Sequence, residues 1–567
     1  MNALTYRIAL ERKTHHYRVT LTFVAQQAGL VSLRLPAWVP GSYARRDLAG
    51  HVSRLTLSQK RNPIDVQKVD INAFSAAVDE GSVTLSYRVY AFDPSVRLAY
   101  LDLDRAFFNP TSLLIAPEGA EALPVKIELE GVSSESVATT LPFDGEAFIA
   151  RNLYAAYDSP FEIGARQKLE FTASGVPHRT VFTGDTSFLD DATMRRIAED
   201  FRAIAEATIA FFDPETRKAP FENYLCTVFL AKGMHGGLEH ASGTALVADP
   251  EDVVIGTPEY GDFLELFAHE YFHAWWVKRV RPSVFVSPNL TRESPTRLLW
   301  VFEGFTVYYA IRMMIASKRK AASSFATSLT ELAQRTLTQS ARRFESLEAA
   351  SLEAWIKYYR VDGDRLNAVT DYYAYGALIA FALDAEIREK SEGKASLDDV
   401  LRFAYATWRT DPRCYGGIPE AEFANLFKEA LGMDFSNEIE DYTRRCVLPD
   451  FAKLSGVFGM RFEELPARCD TAGFGAKWKY RDGKVVVRAV SEETCAAFAG
   501  LAEGDVLVSV NDQKPVVSEP RNERELEKAL DTYFLSFEGK RLTIVVTRFG
   551  RGLTLETEGP FYGMRPN

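Results

Sequence analysis

Two histidines four residues apart, with a glutamate directly after the first, are the clearest chemical signal in the sequence. They are His269, Glu270 and His273, in the stretch LFAHEYFHAWWVKRVRP at residues 266–282. On a helix, positions i and i+4 share one face, so both imidazoles can reach one metal ion. Glu270 would lie about 100° further round the helix, where it can orient a water without binding the ion. The pattern predicts a zinc site with Glu270 as the base, and the alternative is a helix that simply carries two histidines.

A catalytic zinc site needs a third protein ligand, and Glu303 is the candidate. It stands alone among apolar residues in LLWVFEGFTVYYAI, residues 298–311. A lone carboxylate is costly to bury unless it is paired or bound to a metal. We therefore predict that His269, His273 and Glu303 hold one zinc ion per chain. The alternative is that Glu303 faces solvent.

A glycine-rich stretch before the histidine pair contains a second carboxylate that could bind a ligand. In HGGLEH, residues 235–240, Gly236 and Gly237 stand beside Glu239. Glycine lets a ligand approach the backbone closely, and a fixed carboxylate can pair with a protonated amine such as a peptide N-terminus. The stretch predicts a substrate-binding segment, and the alternative is a glycine-rich turn with a solvated glutamate.

The elements that must position these residues follow from the periodicity along the chain. Residues 1–175 alternate polar and apolar positions between turn-forming clusters, which predicts an antiparallel β-domain. A helical pattern at 192–212 and a strand-like run at 223–231 come next, and amphipathic helical patterns dominate from Asp262 to about Asp450, the first of them at 262–280. Residues 176–455 are therefore predicted to form one mostly helical domain that contains the zinc site. Strand-like runs return in residues 456–560. The predicted fold class is multidomain α+β, with these three ranges as its domains.

The last region, GKVVVRAVSEETCAAFAGLAEGDVLVSVNDQKPV at residues 483–516, resembles a PDZ domain. Strand-like runs flank a short helix start, and Gly500 and Gly504 mark tight turns. The resemblance implies a domain that accepts an extended peptide as an added strand, with TAGFGAKWKY at residues 471–480 as the binding loop. The alternative is a purely structural domain that packs on the rest of the chain.

Composition and charge narrow the class of protein. A chain of 567 residues is too long for one hydrophobic core, and 47% hydrophobic and 25% charged residues are ordinary for a globular protein. The net charge of −11 leaves no evident basic face, so nucleic acid is not expected as a partner. The five cysteines form no CxxC pair, so neither a disulfide framework nor a thiolate metal site is predicted. No signal sequence and no membrane-spanning run is visible, which favours a cytoplasmic protein without membrane contact.

Taken together, these stretches resemble the M61 family of zinc peptidases, the glycyl aminopeptidase type. The resemblance is carried by WVPGSY at 38–43, GGLEH at 236–240, HEYFHAWWVKRVRP at 269–282 and the PDZ-like region. More widely, the helix with Glu303 resembles that of the gluzincins, peptidases that bind zinc through two histidines and a glutamate. The resemblance implies a thermolysin-like catalytic domain, one zinc ion, and peptide substrates with a free N-terminus and a small first residue, glycine or alanine. It also implies that Glu239 anchors the substrate amine.

The resemblance further implies a tyrosine that stabilises the oxyanion. Related aminopeptidases carry a Tyr-x-Lys-Gly element, and Tyr373-Ala374-Tyr375-Gly376 matches it except that a tyrosine replaces the lysine. A phenol suits this role because it stays protonated at neutral pH and can donate a hydrogen bond. We therefore predict that Tyr373 is catalytic. Tyr372 and Tyr375 are competing candidates, and aromatic packing is the alternative.

The combined prediction is a zinc-dependent metallo-aminopeptidase. Zinc would lower the pKa of a water, Glu270 would take its proton and pass it to the leaving amine, and Glu239 would set the cut after one residue. Two other interpretations stay open. A zinc endopeptidase would not need the free amine, and a non-catalytic PDZ scaffold built on a peptidase fold would not need an intact zinc site.

Overall fold

The N-terminal region folds into β-sheets, as the alternation of polar and apolar residues in its sequence predicts. Along its strands, buried and exposed side chains alternate. The structure is a computed structural model that describes residues 3–337, 339–410, 417–462, 474–520, 523–537 and 540–558. In the strand His16–Ala25, the side chains of Tyr17, Val19 and Leu21 are buried while Arg18 is exposed. Because successive side chains of a strand point to opposite faces, this alternation turns one apolar face toward the core.

The N-terminal region is built from short strands and one short helix. These are β1 (Leu4–Glu11), β2 (His16–Ala25), β3 (Gly29–Arg34), β4 (Val52–Gln59), β5 (Asn62–Ile64), β6 (Gln67–Asp70), β7 (Ala73–Val78), β8 (Gly81–Tyr90), β9 (Ala99–Leu101), β10 (Ala106–Phe108), β11 (Ala116–Pro117), β12 (Val125–Glu130), β13 (Val137–Ala138), β14 (Phe148–Ala150), α1 (Leu153–Tyr157) and β15 (Phe161–Ile163). They form a 7-stranded sheet, β14-β12-β1-β2-β8-β4-β5, and two 4-stranded sheets, β13-β15-β10-β9 and β11-β3-β7-β6. Neighbouring strands run antiparallel, and β1 with β12 is a parallel exception.

A mixed sheet follows and supports the helix with the histidine pair. Its elements are β16 (Gln167–Ala173), β17 (Val176–Gly184), α2 (Asp191–Phe212), β18 (Tyr224–Leu230), β19 (Gly236–His240), β20 (Gly243–Ala248) and α3 (Pro258–Phe272). The order is β16-β17-β18-β20-β19, with β17, β18 and β20 parallel and the two edge strands antiparallel to their neighbours. Helix α3 packs against α2, β19 and β20. The turn at residue 175, where the sequence analysis places a domain boundary, joins β16 and β17 of this one sheet.

Helices dominate after this sheet. They are the π-helical turn Trp300–Gly304, α4 (Phe305–Ala316), α5 (Ser324–Leu337), α6 (Leu347–Leu352), α7 (Arg365–Ala368), α8 (Ala374–Lys390), α9 (Leu397–Thr410), α10 (Phe423–Leu431), α11 (Ser436–Thr443) and α12 (Phe451–Gly456). The predicted mostly helical region is therefore confirmed from α3 onward. Before α3, the chain forms the mixed sheet together with α2, where the sequence predicts a helix. Within the described ranges, no helix has both the length and the apolar character needed to cross a membrane.

The chain divides into two compact units. Unit 1 comprises Met1–Ser294, Tyr309–Ala322 and Leu401–Pro419, and unit 2 comprises Pro295–Tyr308, Ser323–Val400 and Glu420–Asn567. All the N-terminal sheets and the mixed sheet belong to unit 1. The C-terminal sheet belongs to unit 2.

The C-terminal sheet is antiparallel, with its strands in chain order. Its elements are β21 (Ala476–Arg481), β22 (Lys484–Val490), α13 (Cys495–Ala499), β23 (Val506–Val510), α14 (Glu523–Leu535), β24 (Arg541–Arg548) and β25 (Arg551–Glu558). Phe474 stacks on Phe534 of α14 with ring centroids 4.2 Å apart, which places an aromatic pair in the core of this region. Of the segment predicted as a peptide-binding loop, residues 471–473 lie outside the described residues. The PDZ-like character of this region stays a prediction.

Candidate active site

Helix α3 carries His269 and Glu270 in its last turn. It begins at Pro258, whose missing amide hydrogen costs nothing at the first helical position. The side-chain oxygen of Thr257 accepts a hydrogen bond from the Tyr260 amide and so caps the helix. The start of the helix is thus fixed by its own residues, and the helix spacing sets the relative directions of His269 and Glu270.

The helix ends at Phe272, earlier than the apolar pattern over 262–280 predicts. A tight turn follows, in which the Val277 amide donates to the Val280 carbonyl oxygen at 2.7 Å and Val277 adopts a φ of 110°. A β-branched residue with positive φ is rare, so the surrounding contacts must hold this turn. This turn is buried, with Trp275 and Trp276 at 0% exposure. Its residues are therefore apolar, and in the sequence they look like a continuation of the helix.

The two histidines direct their Nε2 atoms toward each other at a distance of 3.1 Å. The Nδ1 atom of His273 lies 2.9 Å from the carbonyl oxygen of Trp276. A carbonyl only accepts, so Nδ1 donates the hydrogen and the Nε2 atom of His273 presents a lone pair. In a tetrahedral zinc site with Zn–N bonds of about 2.0–2.1 Å, two ligand nitrogens stand about 3.3 Å apart. The spacing of the two imidazoles therefore fits two ligands of one ion.

Glu303 lies on the π-helical turn Trp300–Gly304, which leads directly into α4. Its side chain is 2% exposed. A π-turn inserts a residue into a helix and redirects the side chains around it, and such turns are frequent at functional sites. A Cβ atom added at Gly304 would lie 2.5 Å from the carbonyl carbon of Gly376, so this turn packs backbone to backbone against the start of α8. The contact fixes the segment that carries Glu303.

The three predicted ligands come together in the structure. One ligand-capable atom from each of His269, His273 and Glu303 lies within 4.8 Å of the others. In the described part of the chain, no other group of three or more histidine, cysteine or acidic side chains meets this criterion. Two imidazoles with one carboxylate are a donor set that suits zinc and leaves a fourth position open.

The glycine-rich strand β19 lies against Glu270. A Cβ atom added at Gly237 would lie 2.2 Å from Glu270 Oε1, so any side chain there displaces the carboxylate. The same atom added at Gly236 would lie 3.7 Å from a guanidinium nitrogen of Arg97, an ordinary contact distance. Glu270 is 6% exposed. The backbone at Gly237 therefore restricts the position of the glutamate that the sequence analysis identifies as the base.

Glu239 is also buried on β19, at 4% exposure, and pairs through its backbone with Thr244 of β20. Gly41, from the WVPGSY stretch, lies directly against it, since an added Cβ atom there would lie 2.6 Å from Glu239 Oε2. The Nζ atom of Lys278 is 4.0 Å from Glu239 Oε1, the limit for an ion pair. Because Lys278 is too distant to neutralise the buried Glu239 carboxylate closely, a second positively charged group, such as a bound ammonium, would be stabilised beside Glu239.

The tyrosines before α8 form a hydrogen-bonded cluster. The hydroxyl of Tyr359 lies 3.2 Å from that of Tyr372 and 2.9 Å from that of Tyr373. Burial raises the pKa of Tyr372 well above its usual value, and the nearby charges of Tyr359, Tyr358 and Glu303 raise it further. Tyr372 therefore lies near the Glu303 carboxylate and stays protonated, while Tyr373 is more exposed.

Tyr375 lies in different surroundings. Burial raises its pKa to about 12, and its charged neighbours are Arg342 and Cys446 rather than Glu303. The structure thus groups Tyr372 and Tyr373 and leaves Tyr375 outside their cluster.

Three residues around Glu239 escape the sequence analysis. Gly41 and Lys278 enter there only as members of the WVPGSY and HEYFHAWWVKRVRP stretches, with no role of their own. Asp158, which lies 2.9 Å from the Lys278 ammonium, belongs to no motif. These residues come from segments far apart in the chain, so local spacing carries no signal of their proximity.

Comparisons with known proteins relate this chain to peptidases. Residues 5–165 match the family model described as Peptidase M61 N-terminal domain, and residues 262–379 match the model described as M61 glycyl aminopeptidase. The crystal structure of an aminopeptidase N family protein from Idiomarina loihiensis is similar, with a TM-score of 0.88 and 29% identity over 98% of this chain and 96% of that chain. An M1 zinc metallopeptidase variant from Deinococcus radiodurans gives a TM-score of 0.48 at 14% identity, over 79% of this chain and 95% of that chain, which is too low to bear on the fold. A search of curated proteins gives no match.

Proposed function

This chain belongs to the M61 peptidase family and is a peptidase, and we propose that it is a zinc-dependent aminopeptidase that removes glycine or alanine from peptide N-termini. The observation that carries the proposal is the convergence of His269, His273 and Glu303. The buried carboxylates of Glu270 and Glu239, both in contact with glycine backbone, add the two further groups that such a reaction needs.

The metal would be held by the Nε2 atoms of His269 and His273 and by the carboxylate of Glu303. Zinc bound in such a site supplies Lewis-acid chemistry, which brings the pKa of water down to about 7. The hydrogen bond from His273 Nδ1 to the Trp276 carbonyl oxygen keeps the imidazole in the tautomer that can bind a metal.

Glu270 acts as the general base. Its carboxylate takes a proton from the attacking water and delivers it to the nitrogen of the leaving amine. The contact with Gly237 supports this role because it holds the carboxylate in one place before substrate binds.

Glu239 binds the protonated amine of the substrate and so sets the cut after the first residue. Gly236 and Gly237 let the substrate backbone approach β19. A preference for glycine is supported by the description of the matched family model, and the close approach of Gly41 to Glu239 supports small first residues in general, alanine included.

Tyr373 donates a hydrogen bond to the oxyanion that forms at the scissile carbonyl. Its greater exposure supports this choice over Tyr372, which is buried and less open to a substrate. Tyr372 then orients the cluster through Tyr359, which contacts both hydroxyls.

The domain division at 1–175, 176–455 and 456–560 belongs to the same proposal. Its last part would be a PDZ-like domain that binds an extended peptide. The antiparallel sheet β21–β25 with α13 and α14 supports this assignment, because such domains add a peptide strand to a sheet edge beside a helix.

A chromogenic substrate screen tests the proposed function. Glycyl, alanyl, leucyl and phenylalanyl anilides, each with a free and with an acetylated amine, are assayed before and after chelation and after zinc is restored. We expect cleavage of the free glycyl and alanyl anilides that chelation abolishes and zinc restores. Equal cleavage of acetylated peptides would indicate an endopeptidase, and activity that survives complete removal of metal would rule out the zinc mechanism.

A further inference from the structure

A lysine and an aspartate lie beside the proposed amine-binding carboxylate, and neither has a role assigned so far. Asp158 directly follows α1 in the N-terminal region, and Lys278 lies in the turn after α3. The Lys278 ammonium is 2.9 Å from Asp158 Oδ1 and 4.0 Å from Glu239 Oε1. All three groups belong to unit 1. The lysine therefore lies within reach of two carboxylates and pairs closely with only one of them.

Asp158 is held in place by three donors. Besides the Lys278 ammonium, the Ala241 amide donates to its Oδ2 atom at 2.8 Å, and His240 Nδ1 lies 3.2 Å from its Oδ1 atom. Burial alone would raise the pKa of Asp158, but the charge of Lys278 and the contact with His240 outweigh it and hold the pKa well below its usual value. The carboxylate is thus charged and is tied to the residues that directly follow Glu239.

The backbone of the turn after α3 directs the Lys278 side chain toward Asp158 and Glu239. Its amide donates to the carbonyl oxygen of the metal-ligand candidate His273 at 3.1 Å, and Val277 before it has the unusual φ of 110°. The side chain is 9% exposed. The adjacent Arg279 donates instead to the carbonyl oxygens of Ala241, Ala274 and Pro220. Within the described ranges, Lys278 is accordingly the basic residue whose charged group lies within ion-pair distance of Glu239.

We propose that Asp158 is a positioning residue that holds the Lys278 ammonium away from Glu239, so that Glu239 can pair with the protonated amine of a substrate. The inference rests on the proposed role of Glu239. Among the described residues, Glu239 is the other buried carboxylate within ion-pair distance of Lys278, so a lysine released from Asp158 would occupy the position of the substrate amine. Asp158 thereby makes the affinity for a free N-terminus depend on a residue of the N-terminal β-region.

Kinetics of three variants on a free glycyl anilide test this inference. Removing one member of a buried charge pair leads us to expect that Asp158→Asn raises KM by roughly 30-fold or more. Because the lysine competes only with the substrate amine, kcat should change by less than about threefold. Lys278→Met should lower KM, and the double variant should return KM close to that of Lys278→Met. Glu162→Gln, which breaks the buried ion pair with Arg105 in the same β-region, is the matched control and should leave KM unchanged.

Each outcome bears on one hypothesis. An unchanged KM in Asp158→Asn, or a double variant as impaired as Asp158→Asn alone, would overturn the inference. If Asp158→Asn does not fold, the double variant and Lys278→Met still decide, because a raised KM in Lys278→Met contradicts competition by the lysine. Metal content and melting temperature of each variant exclude general damage. If the wild-type protein cleaves acetylated and free substrates equally well, the proposed role of Glu239 fails instead.

Discussion

The histidine pair with Glu270 and the surroundings of Glu239 are assembled in different ways. His269, Glu270 and His273 lie on one helix end, where spacing along the sequence fixes their geometry. Glu239 is surrounded by Gly41, Lys278 and, through the lysine, Asp158, which come from separate segments. The difference indicates that short-range spacing positions the proposed general base and two of the proposed metal ligands, whereas the proposed amine site, like the third proposed ligand Glu303, depends on the tertiary structure.

The largest expected effect comes from Glu270→Gln. Because the amide cannot accept the proton, kcat should fall by roughly 10²–10⁴-fold, the usual contribution of a general base. Zinc content and KM should stay close to those of the wild type. Steady-state kinetics with metal analysis on purified protein measures all three quantities.

Glu259→Gln provides the control for this experiment. It changes the same residue type in the first turn of α3, about three helical turns before Glu270. Its kcat should equal that of the wild type. Near-normal turnover in Glu270→Gln would show that Glu270 is not the general base. The helix end at residues 269–273 would then supply only metal ligands.

The tyrosine pair gives the next largest effect. Tyr373→Phe should lower kcat by roughly 10²–10³-fold with little change in KM, as expected for loss of an oxyanion donor. Tyr372→Phe should cost less, since it removes only the hydrogen bond to Tyr359. Tyr375→Phe, outside the cluster, should be nearly neutral in kcat. A larger loss in Tyr372→Phe than in Tyr373→Phe would exchange the proposed roles.

Gly237→Ala tests the contact between the two regions. The new methyl group would overlap Glu270 Oε1, so the base must move, and kcat should fall by up to about 10²-fold. The backbone at Gly237 has no positive φ, so the substitution adds no backbone strain. Gly261→Ala on α3, where an added Cβ meets nothing within 4 Å, is the control. A variant with unchanged kcat would mean that the strand does not restrict Glu270.

Gly41→Ala should have the smallest effect, and it should appear in KM. The added methyl group would press on the Glu239 carboxylate, so KM for a free glycyl anilide should rise roughly tenfold, a loss of about 1.4 kcal/mol in binding. Gly119→Ala has a similar positive φ, +82° against +94°, but nothing within 4 Å of the added atom. Both variants carry backbone strain, so equal KM values would show that the contact with Glu239 is unimportant.

Local spacing in the sequence was sufficient to predict the parts of the site that lie on one element. The alternation of polar and apolar residues predicts the N-terminal sheets. The spacing of His269 and His273 predicts a pair of imidazoles on one face, and their Nε2 atoms lie 3.1 Å apart. The apolar setting of Glu303 predicted burial, since a carboxylate surrounded by apolar side chains has no polar face to join.

Other features could not be predicted from the sequence because they depend on contacts between distant residues. The end of α3 at Phe272 follows from a buried turn at Val277, which continues the apolar pattern of the helix. The π-turn that carries Glu303 depends on the approach of Gly376 to Gly304, which no periodicity indicates. The proximity of Asp158 to Lys278 requires the folded chain, because the two residues lie far apart in the sequence and Asp158 belongs to no motif.

The glycine-to-glycine contact between the π-turn and α8 has a consequence for engineering the metal preference of such a site. Glu303 directly precedes Gly304, and Tyr372 and Tyr373 lie shortly before Gly376, so the contact locks both segments into one mechanical element. A redesign that shifts Glu303, the proposed acidic ligand, to suit a larger ion would also displace the phenol groups. With the roles proposed above for Glu303 and Tyr373, ion selectivity and oxyanion stabilisation should change together and should be retuned by substitutions made in pairs.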